Sequence, residues 1–241
     1  ATAVEKVSAE AADLFEEVAA EVVAVPEAPI AEEQTVQLAN EFIEATLTTR
    51  GGAIKTVEFL TTKRGGRDDY IFNQDGYLPA LSLSLSSEDG GLREYALDYS
   101  IESQTGDSVT FVLNTGKGLT VRRTYRIVAG NTEAEPYVIE HQTVFENTSG
   151  APKALNTIYF NLGTARPISK EMIGVNFLNV GYYNGEDAEF IPIKEFTGSK
   201  GFLGIGGNSP QDEIVEAARI EWASVKNQFF ASVLSSEIVG G

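Results

Sequence analysis

From Gln34 onward apolar and polar residues alternate with a period of two, and no other feature constrains the fold of this chain as tightly. That period sends successive side chains to opposite faces of an extended strand, so each such run has one face to bury. Residues 37–49 alternate roughly, Arg50-Gly51-Gly52 supplies a turn, and residues 53–60 alternate again, which predicts a β-hairpin. Leu81-Ser-Leu-Ser-Leu85 and Leu97-Asp-Tyr-Ser-Ile101 alternate strictly. Residues 108–113, 119–128 and 137–145 continue the series, and 155–162 and 175–180 are two further candidates. Glycine- and asparagine-bearing turns separate them, and no repeat of fixed period is visible. Strands this frequent without intervening helices predict an all-β chain, an antiparallel β-sandwich with minor helix.

The last third reads less regularly. Residues 199–210 form a glycine-rich stretch expected to be a long exposed loop, and 63–69 a charged, glycine-broken one. Between Asp212 and Gln228 helical and strand spacings compete. The expectation is a short helix or turn near 212–217, a strand through Trp222, a break at Lys226-Asn227 and a last strand over 229–234. Trp222, the only tryptophan, and the pair Phe229-Phe230 form a dense aromatic stretch, expected to be buried in the core because large apolar groups in soluble chains lie inside.

Residues 1–34 differ from the rest. The first 35 residues carry nine acidic side chains against Lys6, nearly half of the formal net charge of −17. Val4, Val7, Ala11, Leu14 and Val18 fall at helical spacing, so an amphipathic helix over 8–23 is one reading; a solvated acidic tether with partial helicity is the favoured one. Pro26 and Pro29 make a stiff connector to a second unit, 35–241. The strongly acidic balance argues against nucleic acid or an anionic membrane surface as a partner. The chain has no cysteine and no run of about 18 apolar residues, and with neither an initiator Met nor a signal pattern it reads as a piece of a longer protein.

Reactive groups are sparse. His141 is the only histidine and sits in an alternating strand, where a packed or surface role is expected over catalysis. The acidic pairs Asp68-Asp69, Glu88-Asp89 and Asp212-Glu213 lack the spacing of a calcium loop, and zinc would need several His or Cys ligands. Gly51-Gly52 and the glycines of 201–207 fail the context of a phosphate loop and read as turns. No catalytic residue, cofactor or metal site is expected.

Three stretches together carry a family resemblance. Residues 47–60, with the turn at Gly51 and Gly52, are similar to the opening hairpin of the large periplasmic domain of the YidC family, the bacterial membrane-protein insertases. Residues 119–127 followed by 137–149 resemble the family's next strand pair, with Arg122-Arg123 where the family often has a Lys. Residues 222–234, with Trp222, Gln228, Phe229 and Phe230, resemble its Trp-x-Ala-x-x-x-Gln-(Tyr/Phe)-Phe signature near the end of this domain. The resemblance implies a twisted super-sandwich of the galactose-mutarotase type on the periplasmic side of the inner membrane, tethered through segments outside this chain, with further strands expected after the signature. It also implies a non-catalytic role as scaffold and contact surface, with Sec translocon components and nascent membrane proteins as partners. A carbohydrate-binding or sugar-epimerase-like sandwich is the alternative, although such epimerases rely on paired histidines that a chain with only His141 lacks.

Overall fold

A computed structural model describes residues 32–60, 70–86, 92–94, 97–116, 118–128, 135–153, 157–168, 172–198, 209–215 and 219–237. The acidic segment 1–31, the loop 63–69, Asp68-Asp69, Glu88-Asp89 and the glycines of 201–207 lie outside them.

Nearly all regular structure is antiparallel strand. In chain order the elements are β1 (Thr35–Ala39), β2 (Ile43–Thr48), β3 (Ala53–Phe59), β4 (Ile71–Phe72), β5 (Leu83–Ser86), β6 (Leu92–Glu94), β7 (Ser100–Gln104) and β8 (Ser108–Asn114). Then come β9 (Leu119–Ile127), β10 (Ile139–Asn147), β11 (Ile158–Phe160), α1 (Met172–Val175), β12 (Asn179–Tyr183), β13 (Ala188–Pro192), α2 (Ile193–Thr197), β14 (Trp222–Lys226) and β15 (Ala231–Ser235). They form four sheets, ordered β1-β2-β3-β4, β10-β9-β8-β7, β11-β5-β6 and β13-β12-β14-β15.

The first two sheets face each other across one core. Val36, Leu38, Ile43, Ala45, Leu47, Ile54, Val57 and Phe72 come from one, and Val109, Phe111, Val121, Tyr125 and Ile127 from the other. Each fully buried Leu or Phe here contributes about 2–3 kcal/mol. The rings of Phe111 and Tyr125 meet edge to face at 6.1 Å. The opposite face of the second sheet is polar: Arg126 pairs with Glu140, Arg122 with Glu102, and the hydroxyls of Thr110 and Thr124 lie 3.0 Å apart. Such exposed pairs stabilise little and serve mainly to keep that face wet.

The all-β, antiparallel sandwich expected from the alternation is therefore what the chain forms, and most predicted strands are present. The run 37–49 is a correction, because it holds two strands. Asn40 turns the chain between β1 and β2: its Oδ1 accepts the amides of Phe42 and Ile43 at 2.8 and 2.9 Å, and its Nδ2 donates to the carbonyls of Val128 and Pro136. A side chain that satisfies two amides of its own loop makes a tight turn possible without glycine. Strand β12 begins at Asn179 because α1 occupies Met172–Val175, and of the short helix or turn expected near 212–217 the described residues 212–215 hold a bend at Asp212 and no helix.

Candidate functional site

Strand β9 places Val121, Arg123, Tyr125 and Ile127 on its buried face. Arg123 is fully buried, at 0% exposure, and no carboxylate among the described residues pairs with it. Its charge is met by oxygen acceptors. One Nη donates to the Gly51 carbonyl at 2.7 Å, the other to the Leu81 carbonyl, and Nε donates to Thr143 Oγ1 at 3.3 Å. Tyr125 donates its hydroxyl to the neighbouring Gly52 carbonyl at 2.8 Å, and burial raises its pKa. A guanidinium stays charged at any ordinary pH and presents five fixed donors, so it can tie several backbone segments at one point. Here it joins the β2–β3 turn, the approach to β5, and β10.

Gly51 and Gly52 thus have a definite partner set. Gly52 adopts φ +53, and a Cβ there would lie 2.9 Å from the ring of Tyr99 and 3.3 Å from Phe111. Only glycine fits the turn that offers its carbonyls to Arg123 and Tyr125.

His141 faces the same cluster from β10. Its ring stacks on cross-strand Tyr125 at 4.2 Å, Nδ1 donates to the Thr124 carbonyl at 3.2 Å, and Nε2 accepts from Thr143 Oγ1 at 2.8 Å and from Arg123 at 3.2 Å. Burial first, and the Arg123 charge second, push its pKa down to about 3. The ring is neutral, its tautomer is set, and its lone pair is occupied. It is a packing and hydrogen-bonding residue, with no free nitrogen to act as a general base.

The Arg123 clamp also holds Leu81 at φ +65, a conformation disfavoured for a branched side chain by about 1–2 kcal/mol. Leu81 forms part of the wall of an apolar cavity of about 190 Å3. Ile54 and Val57 line it together with the rings of Phe59, Tyr70 and Phe230. Tyr70 and Phe230 stack at 4.4 Å and 9°, while Phe59 meets Phe230 at 4.9 Å and Tyr137 at 6.0 Å. Residues 231–234 of β15, an edge strand among the described residues, also line the cavity.

The expected aromatic cluster is therefore split. Phe230 packs against the core, but Phe229 is 58% exposed and Gln228 is exposed. Trp222 pairs with Tyr183 and Ser235 across the sheet, on the side opposite Val225, which packs toward the core. It lies half-buried on the outer face, stacked on Tyr183 at 6.1 Å, with Phe190 at 6.5 Å. Strand register decides this: Trp222 and Val225 are three residues apart and must point to opposite faces.

Sequence reasoning missed two residues that organise the site. Asn227, 5% exposed, accepts the amides of Phe229 and Phe230 through Oδ1 at 2.9 Å each and donates to the Arg166 carbonyl at 2.8 Å, so it aims Phe230 at the cavity. The signal was an Asn inside an expected break between two strands. Arg123 was the other, and its signal was its parity with Val121, Tyr125 and Ile127.

Among the described residues no group of three or more His, Cys, Asp or Glu side chains is placed to hold a metal, and no helix is long and apolar enough to cross a membrane. The family model for the YidC periplasmic domain matches residues 35–237. The membrane protein insertase YidC of Anaeromyxobacter sp. (strain K) is 27% identical over 225 residues, and that of Anaeromyxobacter dehalogenans (strain 2CP-C) 28% identical. Each alignment takes in 87% of this chain and 38% of the relative, so the chain spans well under half of those proteins. A solved galactose mutarotase related enzyme from Lactobacillus acidophilus is similar over 81% of this chain and 74% of its own, at 12% identity and a TM-score of 0.37. A family match running from the first strand past the last places the chain: it belongs to the YidC periplasmic domain family.

Proposed function

We propose that this chain is a non-catalytic periplasmic domain of a membrane-protein insertase, a scaffold that contacts nascent membrane proteins and translocon components. The observation that carries the reading is the aromatic-lined cavity whose lining includes residues 231–234 of the edge strand β15. An extended apolar segment pairing with that edge gains main-chain hydrogen bonds, and every second side chain can enter the cavity. Val233, 61% exposed on this strand, leaves the edge free of a bulky charged guard. Segments 1–34 and 35–241 act in this reading as tether and contact body.

The test is photo-crosslinking in the full-length insertase during synthesis of a membrane protein. A probe at Val233 is expected to capture the nascent chain, and one at exposed Arg126 on the polar outer face is not. Equal capture at both positions, or none at Val233, would overturn the assignment. Calorimetric titration with common sugars addresses the carbohydrate alternative, and saturable binding there would replace the scaffold reading.

A further inference from the structure

The loop between β12 and β13 is Asn184-Gly185-Glu186-Asp187. Asn184 Oδ1 accepts the amides of Glu186 and Asp187 at 2.9 Å each, and the Asn184 amide donates to the Asp187 carbonyl at 3.3 Å. The same turn is built twice more, by Asn40 with Phe42 and Ile43 and by Asn227 with Phe229 and Phe230. Two features set Asn184 apart. Asn40 and Asn227 anchor their Nδ2 groups on the carbonyls of Val128, Pro136 and Arg166, whereas Asn184 Nδ2 makes no hydrogen bond among the described residues. The residue that follows is Glu41 or Gln228 in the other turns, but here it is Gly185, and this is the only Asn-Gly pair in the sequence.

Gly185 adopts φ +96, and a Cβ built on it would lie 3.1 Å from Glu221 Oε1. The missing side chain leaves the space beside Gly185 Cα in which the Glu221 carboxylate lies. The Glu221 backbone is held there by its amide, which donates to the Tyr183 carbonyl at 2.8 Å.

We propose that Asn184 is a self-modifying residue that this turn is built to deamidate. The Gly185 nitrogen gives up its proton to the Glu221 carboxylate and attacks Asn184 Cγ, forming a five-membered ring. Negative charge develops on Oδ1, where the Glu186 and Asp187 amides already point, the arrangement that stabilises an oxyanion. The Cγ–Nδ2 bond breaks, Nδ2 takes up the proton and leaves as ammonia, and a succinimide remains. Water adds to either ring carbonyl and opens it to aspartate or to isoaspartate. The sum is amide plus water giving carboxylate and ammonium. The product adds a negative charge at the β12–β13 hairpin, and isoaspartate also inserts a methylene into its backbone, beside the Tyr183–Trp222 stack.

The test is to incubate the folded protein at neutral pH and map peptides by mass, separating aspartate from isoaspartate. Conversion at Asn184 should run about tenfold faster than in an unstructured peptide of residues 180–191, the gain expected of two preorganised donors. Asn40 and Asn227, which share the turn, should remain intact. Gly185→Ala should slow the reaction strongly, and Glu221→Gln should slow it several-fold with the hairpin's amide hydrogen exchange unchanged. A folded protein that reacts no faster than the peptide, or does not react, would overturn the proposal; an unchanged rate in Glu221→Gln would remove Glu221 as the base.

Discussion

Acid should destabilise this protein through one imidazole. His141 is neutral when folded, with its pKa lowered to about 3 by burial and then by Arg123, and it returns to about 6.5 in the unfolded chain. Between those values the unfolded state binds a proton that the folded state refuses, so stability rises with pH there. The contribution is fully present above pH 6.5 and is lost progressively as pH falls toward 3. At pH 4.5 the folded ring is still neutral, so the loss follows the unfolded-state value: about two pH units at about 1.36 kcal/mol each, or roughly 2.5 kcal/mol relative to pH 7. Carboxylates titrate in the same window, so the quantity to measure is the difference from His141→Gln, whose side chain does not ionise. Urea unfolding followed by the fluorescence of the only tryptophan, Trp222, at several pH values between 7 and 4.5 supplies both curves. The curves should diverge with a slope near one proton. Because His141 is the only histidine, its ring proton in an NMR titration reports the folded value without assignment. A folded His141 that titrates near 6.5, or parallel curves for the two proteins, would refute the buried, Arg123-facing ring.

Other substitutions separate the elements of the site. Asn227→Ala removes the acceptor of the Phe229 and Phe230 amides and a donor to the Arg166 carbonyl and should cost about 2 kcal/mol in urea unfolding, whereas Gln228→Ala should stay within about 0.5 kcal/mol. Trp222→Ala should cost only about 1–2 kcal/mol, from lost stacking on Tyr183, against about 3–5 kcal/mol for Phe111→Ala in the core. Gly52→Ala combines a left-handed φ with a 2.9 Å clash against Tyr99 and should lower the melting temperature far more than Gly106→Ala, whose added methyl meets nothing within 4 Å. Arg123→Met removes the clamp on the Gly51 and Leu81 carbonyls; it should raise hydrogen exchange at the β2–β3 turn and at Leu81 before it changes β14 or β15.

Much of this architecture was legible in the chain itself. Alternation at period two, with glycine and asparagine between the runs, determined antiparallel strands, and the turn at Gly51-Gly52 together with residues 222–234 was enough to point to the family. The strand through Trp222, the break at Asn227 and the strand after it were all readable, because each depends on local backbone preference. Tertiary structure alone decided which face of each strand met the core. Arg122 and Arg123 are chemically alike and adjacent, yet one pairs with Glu102 in solvent while the other is buried as a clamp, because the facing sheet lies on only one side of β9. Likewise Trp222 turned outward and Phe230 inward once β14 paired with β12 and Asn227 set the turn. Local pattern carries the period of a strand; its buried side depends on partners distant in the chain, among them Gly51, Leu81 and Tyr70.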